Sequence, residues 1–203
     1  METPDPQIFR RFEMEDIDTW EASPLWDEEE SKTIYSYPLE IGAETAEREG
    51  LRLSAGRPDD QTFRLGRFIC NVSKDTHRAA FRWATDFLVP DGTPILAADD
   101  GIIIEVVEHN DKFGDGREFR NFMNRITIAH ENGEVSQYCH LAKNSVSDAG
   151  LEKSMPVKRG QRIGTVGKTG YVPEHRDHLH FVVLRLDKNE SPFAFKSLSA
   201  RFE

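Results

Sequence analysis

Arg125-Ile126-Thr127-Ile128-Ala129, then Asn132-Gly133, then Glu134-Val135-Ser136-Gln137-Tyr138-Cys139-His140-Leu141, is the stretch that decides the fold. In the first run apolar and polar side chains alternate, the period of a strand that lays one face on a core. Asn132-Gly133 supplies residues that accept positive φ in a tight turn, so the two runs read as an antiparallel hairpin. Outward from the hairpin, runs of the same kind cover residues 63–72, 84–89, 94–108, 124–130, 134–141, 161–166 and 178–186, separated by Gly, Asn, Asp and Pro. No long helical periodicity interrupts them, and no repeat of 20 to 50 residues is visible. The prediction is an all-β chain of antiparallel sheets.

The 203 residues suit one domain with a sizeable core and a polar extension. The division expected is an acidic extension over 1–35, a connecting segment packed on the core over 36–61, the main domain over 62–186 and a C-terminal tail over 187–203. Phe9, Phe12, Trp20 and Trp26 make the extension too aromatic for a purely solvating tail, so it is expected to pack on the domain or a partner. The formal charge of -10 opposes a phosphate backbone, which argues against nucleic acid as a partner. No run approaches the ~20 apolar residues of a membrane span, and the start at Met1 has neither the basic nor the apolar part of a secretory signal. A chain cytoplasmic as synthesised is expected, or one that reaches a cell wall after release or after trimming. Cys70 and Cys139 lie far apart in apolar-alternating runs and read as buried free thiols. The polar insertion between Asn110 and Phe122 reads as a surface loop; its acidic spacing lacks the twelve-residue calcium pattern with a closing Glu.

The chemistry starts at His178-Leu179-His180. On a strand both imidazoles project to one side while Leu179 and Phe181 face the core. Adjacent imidazoles resist joint protonation and suit a borderline-soft cation such as Zn²⁺. A lone His-x-His is more often a surface or hydrogen-bonded pair, but two further polar foci, Tyr138-Cys139-His140 and Thr85-Asp86-Phe87, sit at strand ends. The donor set offered is one upstream His, Asp86 and one of His178 and His180. His130 reads as structural, and His109 and His175 as loop residues on the surface.

These residues stand in an ordered series: Thr76-His77; Ala84 to Pro90; Gly92 to Ala98; Asp100 to Ile103; Asn124 and Ile126 before His130; Tyr138 to Leu141; Val157 to Gly164; Gly167 to Gly170; and His178 to Phe181. Over residues 62–186 the series resembles the zinc metallopeptidases of the lysostaphin and LytM type, which hydrolyse peptide bonds in bacterial peptidoglycan. The resemblance implies a sandwich-like β core, one zinc ion per chain and a peptidoglycan peptide as substrate. It also implies Asp86 and His180 as zinc ligands, and His140 and His178 as unligated histidines that flank a bound water.

The family's usual first ligand, four residues before the Asp, is Arg82 here. A subgroup with a longer spacing places it further upstream, which implies His77, although the glycine usual after that His is absent. Asn124 is implied as a substrate-binding residue or a strand-end hydrogen bonder; Asp177, beside His178, is an acceptor that could orient an imidazole, although adjacent residues on a strand face opposite ways. The alternative to an enzyme is a degenerate module that binds peptidoglycan or regulates another wall hydrolase, which Arg82 keeps open. Ligand imidazoles must be neutral to bind metal, so activity is expected to fall well below pH ~6.5. A pH-rate profile checks this, and a flat profile into acid contradicts it.

Overall fold

The structure, a computed structural model, describes residues 29–42, 61–73, 76–77, 81–172, 176–186 and 195–203. The expected aromatic anchors Phe9, Phe12, Trp20 and Trp26, and the loop residue His175, lie outside the described residues. Twelve strands are described: β1 Glu30–Tyr35, β2 Gln61–Leu65, β3 Phe68–Val72, β4 Thr85–Leu88, β5 Pro94–Leu96, β6 Gly101–Val107, β7 Arg125–Ala129, β8 Glu134–Cys139, β9 Pro156–Val157, β10 Arg162–Thr165, β11 His178–Leu186 and β12 Phe195–Phe202. The described helices are brief, a 3-10 turn at Arg117–Phe122 inside the expected surface loop and α1 at Ser145–Asp148. No helix among the described residues is long and apolar enough to cross a membrane.

The large sheet runs β2-β3-β4-β11-β8-β7-β6-β9, and a two-stranded ribbon of β5 and β10 lies apart from it. β11 is the spine. One edge pairs with β8, while the other pairs first with β4 and then with β12. One face of the sheet carries Phe87, Ile126, Ile128, Tyr138, Leu179, Phe181 and Val183 into the main core, where Ile95 and Ile163 of the ribbon meet them. Phe181 shows the packing: its ring stands 5.1 Å from Tyr138 and 6.3 Å from Phe87. Removing such a ring costs about 3–5 kcal/mol. The opposite face holds a smaller apolar cluster, Phe81, Ala84, Val135, Val182, Leu184 and Phe195 among them.

Two expected strands are each broken in two. Residues 63–72 fold back as the β2–β3 hairpin, because Gly66 adopts φ +57 and a Cβ there would lie 2.4 Å from the Tyr37 hydroxyl. Residues 94–108 divide at Ala97–Asp100, which leave the sheet between β5 and β6. The β7–β8 hairpin forms as expected but with a longer loop: His130 N–H donates to Glu134 O, Gly133 N–H returns to His130 O, and Gly133 takes φ +80. Asn132 contributes through its side chain, accepting from Glu134 N and donating to the Glu134 carboxylate.

β1 and β12 form without the alternation that marks the others. β1 runs parallel to β12, and a buried carboxylate fastens it: Glu134 accepts from Lys32 N at 2.7 Å, Tyr35 Oη at 3.0 Å and Asn132 Nδ2 at 2.9 Å. Cys70 and Cys139 are both free and buried.

His130 has a structural setting, with Nδ1–H donating to Asp100 O at 2.8 Å, which leaves Nε2 to accept from Ser136 Oγ at 2.9 Å. Burial pushes its pKa below the usual histidine value. The folded state therefore stays neutral here while the unfolded chain takes up a proton below pH ~6.5, and stability falls as pH falls through that value. His140 and His180 act in the same direction. Denaturation of wild type and His130→Gln between pH 5 and 8 should show a shallower slope in the variant, by at most about 1.4 kcal/mol per pH unit.

Candidate metal centre

Because the strands are antiparallel, the ends of β4, β6 and β8 and the starts of β7 and β11 all lie at one end of the sheet. Asp86 stands directly opposite His180 across β4 and β11, and His178 lies two residues earlier on the same face. His77 comes from the turn that follows β3, where its N–H donates to Ser73 O at 3.0 Å and Thr76 N–H donates to Ser73 Oγ at 3.4 Å.

One carboxylate oxygen is the focus. Asp86 Oδ1 lies 3.1 Å from His77 Nε2, 2.9 Å from His180 Nδ1 and 3.9 Å from His178 Nε2. The donor atoms of His77, Asp86 and His180 are all within 4.8 Å of one another, and the three residues are buried. Burial alone would push the Asp86 carboxyl up; the charges of His77 and His178, and hydrogen bonds from His180 and His77, hold it well below the usual range. Burial lowers the pKa of His180 despite the opposing pull of Asp86. A carboxylate with neutral imidazoles is the donor set that a divalent, borderline-soft cation takes, so the residues present fit such an ion.

His140 reaches the site by an unusual route. Strand alternation along β8 would put it with Ser136 and Tyr138 on the core face, away from His178 and His180. Instead His140 takes φ +66, a left-handed conformation that histidine adopts more readily than most residues. The ring turns to the site and stands 4.7 Å from His178 and 5.9 Å from His180. Its Nδ1–H donates to Thr169 O at 2.8 Å, which fixes the tautomer and leaves Nε2 as an acceptor. Burial first, then the charges of His178 and His180, hold its pKa well below the usual value. His178 is fixed in the same sense, with Nδ1–H donating to Arg176 O at 2.7 Å.

The remaining expected residues stand further off. Asn124 is buried with its amide committed to backbone: Oδ1 accepts from Asn110 N, and Nδ2 donates to Asn110 O and Leu141 O. That arrangement is the strand-end hydrogen bonder rather than a group turned to a ligand. Asp177 meets Lys168 at 3.3 Å rather than an imidazole. Arg82, at the position of the usual first ligand, stands over the Trp83 ring at 5.1 Å. His109 is exposed. Sequence reasoning missed Thr169, which accepts from His140 and whose hydroxyl bridges Asn124 N and Leu141 O. The Gly167-Lys168-Thr169-Gly170 run was the available signal.

Gly167 sets that turn against His140. A Cβ there would lie 2.5 Å from backbone atoms of Ala142, and Gly167 N–H donates to His140 O at 2.8 Å. Gly167→Ala should therefore destabilise by about 1–3 kcal/mol and free the His140 ring. Thermal melts and loss of the slowly exchanging His140 Nδ1 proton by NMR check this.

Two curated relatives from Vibrio cholerae are the peptidoglycan DD-endopeptidases ShyC, 36% identical over 105 residues, and ShyA, 35% identical over 109. The matches cover 52% and 54% of this chain but 21% of each relative, so the chain spans about a fifth of their length. Among solved structures, a zinc-containing peptidase from Vibrio cholerae is 25% identical, with 80% of this chain and 41% of that one covered and a TM-score of 0.45. Residues 80–193 match peptidase family M23, a stretch that holds Asp86, His140, His178 and His180 and begins just after His77. This chain belongs to peptidase family M23.

Proposed function

We propose that the chain is a zinc-dependent endopeptidase acting on peptide bonds of bacterial peptidoglycan. The observation that carries this reading is the meeting of two imidazole nitrogens and one carboxylate oxygen within 4.8 Å, with two further imidazoles beside them. His77, Asp86 and His180 would hold the ion, three protein ligands as in catalytic rather than structural zinc sites. When bound, zinc polarises the scissile carbonyl as a Lewis acid and draws the pKa of a water from ~15.7 toward ~7.

The rest of the work belongs to His140 and His178. Each spends its Nδ1–H on a backbone carbonyl, so each presents Nε2 as a lone pair. A neutral imidazole so held accepts a proton from the attacking water as a general base. Only after that transfer does its Nε2 carry a hydrogen, which then stabilises the developing oxyanion or reaches the leaving nitrogen. The two rings stand 4.7 Å apart, so both Nε2 lone pairs can accept from the attacking water, one ring taking and later returning its proton while the other orients it. The family, and the names of ShyC and ShyA, support peptidoglycan as the substrate class.

The test is elemental analysis joined to cleavage of cross-linked muropeptides. Wild type should hold about one zinc per chain, and His77→Ala and His180→Ala should lose it. His140→Ala and His178→Ala should keep the zinc and lose about 10²–10⁴-fold in rate. Zinc retained in full by His77→Ala would remove His77 from the ligand set. Zinc binding with no cleavage of any cross-link would replace the enzyme by the non-catalytic binding module.

A further inference from the structure

The face of the sheet that carries His180 continues sideways as a polar floor. Strand register sets His180 opposite Cys139, and Cys139 opposite Arg125, so the three side chains form one row across β11, β8 and β7. Two strand spacings separate His180 from Arg125, about 10 Å. Arg125 opens β7 at the same end of the sheet as the metal ligands, beside Asn124, whose amide anchors the Asn110 loop.

The guanidinium is held rigidly. Nε donates to Glu105 Oε2 at 3.1 Å and Nη2 to Glu105 Oε1 at 2.6 Å. Glu105 is itself fixed by Thr127 Oγ1 at 2.8 Å, and Gln137 Nε2 donates to Thr127 Oγ1 at 3.0 Å. Nη1 has no partner among the described residues. The Arg125 side chain is 16% exposed, so the charge is mostly desolvated yet open along one edge. A planar fork held by a carboxylate on one side and free on the other is suited to a second carboxylate.

We propose that Arg125 is a specificity-determining residue that binds a free carboxylate of the substrate peptide, about three extended residues from the bond that is cut. Peptide stems of peptidoglycan carry such groups, and in this respect the inference rests on the substrate class proposed above. The distance follows from the rise of ~3.4 Å per extended residue against the ~10 Å from His180 to Arg125. With a formal charge of -10 the mean field of the chain repels anions. Preference for an acid over its amide therefore requires a local cation, and Arg125 supplies it. Glu105 orients the fork and is a positioning residue.

The test uses the zinc-loaded chain and two probes, an uncross-linked stem tetrapeptide with its free C-terminal carboxylate and the same peptide as the C-terminal amide, with binding measured by calorimetry. Wild type should bind the acid at least tenfold more tightly than the amide. Arg125→Gln should remove that preference while leaving amide affinity and zinc content unchanged. Should Arg125→Gln fail to fold, Arg125→Lys, which keeps the charge without the fork, should retain only part of the preference. Equal affinity of wild type for acid and amide overturns the proposal. So does a preference that survives Arg125→Gln, as it would if the carboxylate bound the metal instead. Cleavage of cross-linked muropeptides is scored separately: no cleavage together with an Arg125-dependent preference sinks the endopeptidase reading and leaves this one standing.

Discussion

A buried carboxylate oxygen shared among imidazoles, Asp86 Oδ1 between His77 and His180, is the interaction on which the open end of the sheet depends. A lone carboxylate removed from water is costly, and burial by itself would drive it to take up a proton. The histidines around it reverse that tendency and keep it ionised. The consequence is reciprocal: the carboxylate needs positive partners, and burial makes the His180 imidazole a poor one by lowering its pKa. A divalent cation among these donors would resolve the conflict, which supports the proposed metal centre over a structural ion pair.

The scaffold delivers these groups by register. β11 is paired on both edges, so a one-residue slip would turn His178 and His180 into the main core and bring Leu179 and Phe181 out. The apolar packing of Phe181 against Tyr138 and Phe87 therefore fixes the site as firmly as any contact within it. The polar row through Cys139 to Arg125 follows from the same register, so the proposed ligand site and carboxylate anchor are two parts of one surface.

Much of this was legible in the residues. The alternation at Arg125–Ala129 and the Asn132-Gly133 turn announced the hairpin, and the ordered motif series pointed to a zinc peptidase core. The family resemblance implied His77 in place of Arg82, and the structure sets His77 Nε2 3.1 Å from Asp86 Oδ1 while Arg82 stands over the Trp83 ring. Other features were hidden for physical reasons. β1 is polar and owes its place to a carboxylate a hundred residues away, which no local pattern encodes. Gly66 divides an apolar run that reads as continuous. Asn124 stayed open between substrate binding and strand-end hydrogen bonding because its backbone partners, Asn110 and Leu141, are distant in sequence.

The left-handed backbone at His140 carries one more implication. Such a conformation in a residue with a Cβ costs on the order of 1–3 kcal/mol, and it persists because Gly167 N–H holds the His140 carbonyl and Thr169 O holds its ring. Glycine or asparagine at this position would relax the chain but remove the imidazole on which the proposed mechanism relies. Selection for robustness alone would therefore erode function here, so the fold gives up some of its margin to keep an imidazole facing the wrong way for a strand.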